Sequence, residues 1–160
     1  MLLQSRVDGA VVAGDNGRNK GAKNGWCDMA SRLSVPTEDT YVTSRARLMK
    51  SRWEKRLGRA LEVQTQRLMP DRDGARYRAD LVLQDPKDGL PLVLFEVKTP
   101  GKTGEQAECN LRRLLDSTRL MERLGRTPPE VVLLIANGEK AEGDRIRKAL
   151  RPGNVRVEVV

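Results

Sequence analysis

Three charged side chains, Asp80, Glu96 and Lys98, fall within two apolar segments and are the strongest candidates for chemistry in the sequence. The segments, residues 76–84 (RYRADLVLQ) and 91–98 (PLVLFEVK), are separated by a turn that contains Pro and Gly, which predicts a β-hairpin. Charge inside a buried strand is costly unless it is paired or bound to a ligand. The hairpin therefore predicts a small acidic site with one lysine.

Alternation of side chains along a strand places Glu96 and Lys98 on the same face of the second strand. In the first strand, Asp80 shares a face with Arg78 and Val82, and a hairpin of suitable register would set Asp80 beside Glu96. Two carboxylates on adjacent strands form a site of hard oxygen ligands, which suits Mg²⁺ or Mn²⁺.

A lysine on the same face as these carboxylates could orient an attacking water and stabilise a phosphorane-like transition state. The chemistry predicted is metal-dependent hydrolysis of a phosphodiester. An ordinary surface ion pair of Lys98 with Glu96 or Asp80 is the alternative interpretation. That alternative explains the pairing but does not explain why an acid and a base end an apolar strand.

Other catalytic and metal-binding chemistries are excluded by composition. The chain has no histidine, and its cysteines, Cys27 and Cys109, lack paired spacing, which excludes a thiolate or imidazole zinc site, a Cys-His pair and a Ser-His-Asp triad. The GKT at 101–103 is not a P-loop, because the glycine required five residues earlier is Glu96. Any bound metal would therefore be held by oxygen atoms.

The positive charge of the chain is concentrated in its middle. The net charge is +8, and residues 41–80 carry eleven basic and five acidic side chains. This distribution favours nucleic acid as the partner, although a solvated basic helix in an arginine-rich protein would look the same. The basic residues predicted to contact the nucleic-acid backbone are Arg45, Lys50, Arg52, Lys55, Arg56 and Arg78.

Apolar periodicity predicts an α/β fold in which helices cover a mixed β-sheet. The expected elements are a helix over 37–58, a strand over 61–68, the hairpin over 76–98, a helix from 103, a strand over 130–136, a helix ending at 150 and a strand over 155–160. Thr103 and Gln106 have the spacing of a capping box at the start of the second helix, so Gln106 is assigned to the cap rather than to catalysis.

The chain is expected to form one domain over 37–160, preceded by a flexible arm over 1–36 that is rich in Gly, Asn and Ser. No apolar run approaches 18 residues, and the N-terminus does not resemble a secretory signal. We therefore expect an intracellular, cytoplasmic protein without a membrane partner.

Asp80, the intervening turn and Glu96-Val97-Lys98 resemble the D…(D/E)xK signature of the PD-(D/E)xK nuclease superfamily, which includes restriction endonucleases, Holliday junction resolvases and toxin nucleases. The resemblance covers roughly 41–160 and extends to the order of helices and strands. It implies a three-layer restriction endonuclease-like core with a mixed sheet flanked by helices. Ala79 departs from the proline that usually precedes the aspartate.

The resemblance also implies residue roles. Asp80 and Glu96 would bind Mg²⁺ or Mn²⁺, the Val97 carbonyl would complete the coordination, and Lys98 would be catalytic. Glu54 would match an additional acidic metal ligand on the first helix, although at its helical spacing it could equally be an exposed ion-pair partner of a nearby lysine.

The expected function is that of a Mg²⁺-dependent phosphodiesterase acting on nucleic acid, with DNA favoured because the superfamily acts mostly on DNA. An RNA-cleaving nuclease of the tRNase toxin type is the rival. A catalytically inactive nucleic-acid-binding module of the same fold is a further alternative. Target choice by a homodimer or by a partner protein stays open, because 160 residues hold no evident recognition domain.

Overall fold

A computed structural model of the chain describes residues 38–70, 74 and 76–160. The arm predicted over 1–36 lies outside the described residues. The predicted order of elements and the α/β class are confirmed. In chain order the elements are α1 (Glu38–Leu57), β1 (Glu62–Pro70), β2 (Arg76–Gln84), β3 (Pro91–Val97), α2 (Glu105–Arg123), β4 (Glu130–Ile135), α3 (Lys140–Ala149) and β5 (Val155–Val159).

The strands form one mixed sheet in the order β1-β2-β3-β4-β5. β1, β2 and β3 are antiparallel neighbours, and β4 and β5 run parallel to β3. The predicted hairpin is β2 and β3, in which Leu81 lies opposite Phe95 and Val82 lies opposite Leu94. β3 is thus a central strand, with β2 on one side and β4 on the other.

Helices cover both faces of the sheet. Leu111 of α2 and Ile146 of α3 lie in one buried cluster with Leu94. This is expected, because α2 connects β3 to β4 and α3 connects β4 to β5, and right-handed connections that step in the same direction across a parallel sheet place their helices on the same face. Trp53 of α1 lies in the other cluster, where its ring meets Phe95 edge to face at 6.2 Å. None of the helices in the described residues combines the length and apolar character needed to span a bilayer.

The start of α2 differs from the sequence prediction. The Thr103 hydroxyl donates to Glu139 Oε2 at 3.0 Å, and Gln106 Nε2 donates to Asn110 Oδ1 at 2.8 Å. The N-cap position is Gly104, which makes no side-chain cap. The predicted capping box was therefore wrong, because both of its side chains have other partners in the folded chain.

β2 changes the face that it presents at Asp80. Ala79 packs in the same cluster as Val82, on the α2 side, whereas Leu81 packs on the α1 side. Strict alternation would put Ala79 with Leu81, so the face must shift between 79 and 82. On β1 the residue opposite this shift is Gln66, which has a positive φ of 54°. Asp80 thus sits at an irregularity of the sheet, and its predicted sharing of a face with both Arg78 and Val82 was wrong.

Candidate functional site

Asp80 lies where β2 and β3 separate. The last pair in their ladder is Leu81 with Phe95, and beyond it Asp80 Oδ2 accepts a hydrogen bond of 2.8 Å from the Val97 N–H. A side-chain carboxylate, rather than a backbone carbonyl of β2, thus receives this amide of β3. Asp80 is only 7% exposed. It stands next to Glu96 because Asp80 directly precedes Leu81, Glu96 directly follows Phe95, and Leu81 and Phe95 are the last pair of the two antiparallel strands.

Glu96 is fully buried, and hydrogen-bond donors surround its carboxylate. The Tyr77 hydroxyl donates to Oε2 at 2.7 Å, and Asn110 Nδ2 donates to Oε1 at 2.7 Å. The ammonium nitrogen of Lys98 lies 2.6 Å from the same Oε1. Burial of a carboxylate is tolerated only when it is compensated in this way, by charge-assisted hydrogen bonds and a counter-charge.

Lys98 is held in place by its backbone as well as by its ion pair. Its N–H donates to the Leu134 carbonyl at 2.9 Å, which continues the alignment of β3 with β4 one residue beyond the end of β3. Its side chain is 9% exposed. The pairing with Glu96 that the sequence left open is therefore present, but it is buried rather than on the surface.

A short chain of amides connects Glu96 to the protein surface through α2. Exposed Gln106 donates to half-buried Asn110, and Asn110 in turn donates to Glu96. Sequence reasoning missed Asn110. The signal that could have found it is its position four residues after Gln106, which puts the two amides on one side of the helix.

Tyr77 was also missed by sequence reasoning, although it lies only three residues before Asp80. Burial raises the pKa of its phenol above the ordinary range, and the negative charge of Glu96 and the hydrogen bond to Glu96 raise that pKa further. The Arg113 guanidinium lies 5.7 Å from the centre of the Tyr77 ring and opposes this shift. Tyr77 therefore stays protonated at neutral pH and acts as a hydrogen-bond donor, not as a base.

We expect Tyr77→Phe to lower the free energy of unfolding by about 1.5–3 kcal/mol, the usual contribution of a hydrogen bond to a charged group. Urea denaturation at pH 7 would measure the loss. Tyr41→Phe is the matched control, because within the described residues the buried Tyr41 hydroxyl has no hydrogen-bond partner. Equal effects of the two substitutions would show that the Tyr77–Glu96 hydrogen bond does not stabilise the site.

The structure does not bring Glu54 to the acidic site. Its Oε1 accepts a hydrogen bond of 2.9 Å from the Leu61 N–H and lies 3.8 Å from the Lys50 amine. Leu61 directly precedes Glu62, the residue of β1 that pairs with Gln84. Gln84 lies four residues along β2 from Asp80, so the backbones at these two positions are about 13 Å apart. Glu54 thus joins α1 to β1 and pairs with a neighbouring lysine, as the alternative interpretation allowed.

The basic side chains of α1 do not surround the acidic site either. α1 packs on one face of the sheet, whereas Glu96 is bonded to Asn110 from α2, on the other face. Arg78 is exposed on β2, and alternation places it on the face opposite to Tyr77. The side chains that were expected to contact the nucleic-acid backbone therefore lie away from the acidic site; they are those of Arg45, Lys50, Arg52, Lys55, Arg56 and Arg78.

The donor atoms at the site fit a small hard cation. Asp80 and Glu96 supply two carboxylates, and Mg²⁺ commonly takes one or two carboxylates and keeps several waters. Within the described residues, no group of three or more His, Cys, Asp or Glu side chains could hold a metal ion. The remaining ligands would therefore be the Val97 carbonyl, water and oxygen atoms of a bound phosphate.

Two buried carboxylates beside a lysine, with hydrogen-bond donors fixing one of them, form an arrangement that could hold a hard cation next to an ammonium group. Comparison of the chain with protein-family models, with curated proteins and with solved structures finds no match. Support for a function therefore comes from the site itself.

Proposed function

We propose that the chain is a metal-dependent nuclease that hydrolyses phosphodiester bonds of nucleic acid, with DNA favoured over RNA. The observation that carries this proposal is the meeting of Asp80, Glu96 and Lys98 at the point where β2 and β3 separate. A purely structural ion pair needs no second carboxylate beside it. Hydrolysis of a phosphodiester uses all three groups.

The architecture supports membership of the PD-(D/E)xK superfamily with a restriction endonuclease-like core. A mixed sheet with helices on both faces and the order helix, three strands, helix, strand agree with that core. The D…ExK residues lie on the central hairpin of this sheet. This assignment accounts for the buried acid Glu96 at the end of β3 and the buried base Lys98 directly after that strand.

In this mechanism, Asp80, Glu96 and the Val97 carbonyl would hold Mg²⁺ or Mn²⁺. When bound, the ion would lower the pKa of a water molecule and offset negative charge on the phosphate. Tyr77 and Asn110 fix the Glu96 carboxylate through their hydrogen bonds. Lys98 donates hydrogen bonds from its ammonium to the attacking water or to a phosphate oxygen, which stabilises the developing negative charge.

Lys98 can take this role beside Glu96, because its ammonium group has three N–H donors. At 2.6 Å from Oε1, its ammonium balances the buried carboxylate in the present arrangement. If Asp80 and Glu96 held a divalent cation, compensating positive charge would be present at the carboxylates, and the Lys98 ammonium would be available to the substrate. In the described arrangement Lys98 balances the charge of Glu96, and the Asp80 carboxylate adds a second negative charge to the proposed site.

A catalytically inactive nucleic-acid-binding module is the second candidate function. It is favoured by one observation: Glu96 has no exposed surface, and both of its carboxylate oxygens already accept hydrogen bonds. Such a module would retain the ion pair as part of its core. It would bind nucleic acid in EDTA, with strong dependence on salt, and would not cleave it.

Incubation with supercoiled plasmid and with tRNA tests the proposal. With Mg²⁺ present, the wild-type chain is expected to cleave plasmid faster than tRNA, and EDTA is expected to stop cleavage. Lys98→Met should reduce the rate by about 100-fold or more, because it removes a group that stabilises the transition state. Lys102→Met is the matched control, since Lys102 is exposed in the loop before α2.

The outcomes separate the candidates. Faster cleavage of tRNA would assign the chain to RNA. Equal degradation by the wild type and by Lys98→Met would indicate a contaminating nuclease and contradict the enzyme proposal. Binding without cleavage under every metal condition would favour the inactive module.

A further inference from the structure

A groove of about 390 Å³ lies at the C-terminal end of α3, and three arginines line it. Arg147 comes from the last turns of α3, Arg151 from the following turn and Arg156 from β5. Asn154 is among the other lining residues, and none of them carries a carboxylate. The lining is therefore positive, and the carboxylates that neutralise it in part come from residues outside the lining set, namely Asp144 and Glu130.

The turn that shapes the groove is fixed by close packing. A Cβ atom added at Gly153 would lie 2.6 Å from Leu115 Cδ1 and 2.8 Å from the Leu150 carbonyl oxygen, so this position admits only glycine. The Gly153 N–H donates to that same carbonyl at 2.8 Å. Arg151 and Asn154, on either side of the turn, are consequently held by a rigid backbone.

The arginines of the groove have weak partners or none. Within the described part of the chain, no carboxylate oxygen lies within 4.0 Å of the Arg151 guanidinium. Arg147 pairs with Asp144 at 3.0 Å, but both side chains are substantially exposed. Exposed ion pairs contribute little, so a phosphate can replace such a carboxylate with small loss, and arginine binds phosphate with two parallel hydrogen bonds.

The positive surface continues from the groove towards α1. Glu130 lies between two arginines, at 3.3 Å from Arg156 and 3.7 Å from Arg56, so one carboxylate faces two positive charges. Both guanidinium groups also lie over the Trp53 ring, at 5.8 and 4.6 Å. Arg52, one helical turn before Arg56, extends the same side of α1.

We propose that this groove binds phosphate groups of a nucleic-acid backbone at a position separate from Asp80 and Glu96. β5 is two strands from β3 in the sheet, a distance of about 10 Å between backbones. The extended row of arginines favours a polymer of phosphates over a single small anion. The choice of polymer rests on the proposed function, but the groove requires no catalysis.

Fluorescence anisotropy with a labelled DNA duplex, in EDTA and between about 50 and 200 mM salt, tests the groove. Each phosphate contact contributes about 0.9 to the slope of log K against log salt concentration. We expect the double variant Arg147→Ala/Arg151→Ala to lower the magnitude of this slope by about 2 and to weaken binding. The matched control, Arg123→Ala/Arg126→Ala, removes the same charge at the exposed end of α2 and should keep the wild-type slope.

Identical slopes and affinities for the two double variants would overturn the groove proposal, as would absence of DNA binding at the lowest salt. Displacement of the DNA by inorganic phosphate at constant ionic strength would identify a site for a small anion and would also overturn it. Retained binding with the expected change in slope, but without cleavage in Mg²⁺, would remove the nuclease proposal and leave the groove. Cleavage in Mg²⁺ without a difference in slope between the two double variants would remove the groove proposal and leave the nuclease proposal.

Discussion

Lys98→Ala is expected to lower the free energy of unfolding by about 3–5 kcal/mol, the usual effect of breaking a buried ion pair by removing one partner. The cause is that the Glu96 carboxylate, which has no exposed surface, would lose the ammonium group 2.6 Å from Oε1. Chemical denaturation at pH 7 would measure the change as a lower midpoint with an unchanged slope.

Two further variants make this result specific. Glu96→Gln combined with Lys98→Ala should recover most of the lost stability, because the neutral amide leaves no uncompensated charge in the core. Lys102→Ala should leave the midpoint unchanged, since Lys102 is exposed. If Lys98→Ala unfolds at the same denaturant concentration as Lys102→Ala, the buried pair does not stabilise the fold.

Asp80→Asn is expected to reduce Mg²⁺-dependent cleavage by about 100-fold or more, given that losing even an outer partner of a metal ligand reduces activity by about 10- to 100-fold. The substitution separates chemistry from folding. Asparagine retains an oxygen that can accept the Val97 N–H, so the contact between β2 and β3 is preserved while the negative charge is removed. Plasmid cleavage and the denaturation midpoint are measured on the same preparation.

Asp88→Asn provides a closely matched control. Asp88 Oδ1 also accepts a backbone hydrogen bond, from the Leu90 N–H at 2.9 Å, but it lies in the exposed turn of the hairpin. The cleavage rate of the Asp88→Asn variant should equal that of the wild type. Full cleavage activity in a folded Asp80→Asn variant would contradict a role for this carboxylate in binding the metal.

The sequence predicted the elements well because hydrophobic periodicity decides them. The α2 face and the apolar runs of β3 and β4 are strongly patterned, so their order was readable. A meeting of Asp80 and Glu96 was also readable for a hairpin of suitable register, although the register shift between Leu83 and Gln84 was not. Both predictions depend on contacts that are local along the chain.

Contacts that are distant along the chain could not be read in this way. The capping box failed because Thr103 meets Glu139, 36 residues away, whereas the capping pattern considers only neighbours. The amphipathic pattern of α1 shows which side is buried but not which face of the sheet buries it, so the relation of α1 to Glu96 was unpredictable. The role of Glu54 stayed open for the same reason, since its bond to Leu61 depends on the path of the loop.

The irregularity at Gln66 and Asp80 also affects how the chain behaves among copies of itself. Within the described residues β1 is an outer strand, and a long, straight outer strand offers its backbone to other chains. The positive φ at Gln66 divides the nine residues of β1 into two runs of four, 62–65 and 67–70. Neither run is long or flat enough to pair well with an extended partner, so the backbone distortion beside Asp80 makes the β1 edge a poor template for edge-to-edge association.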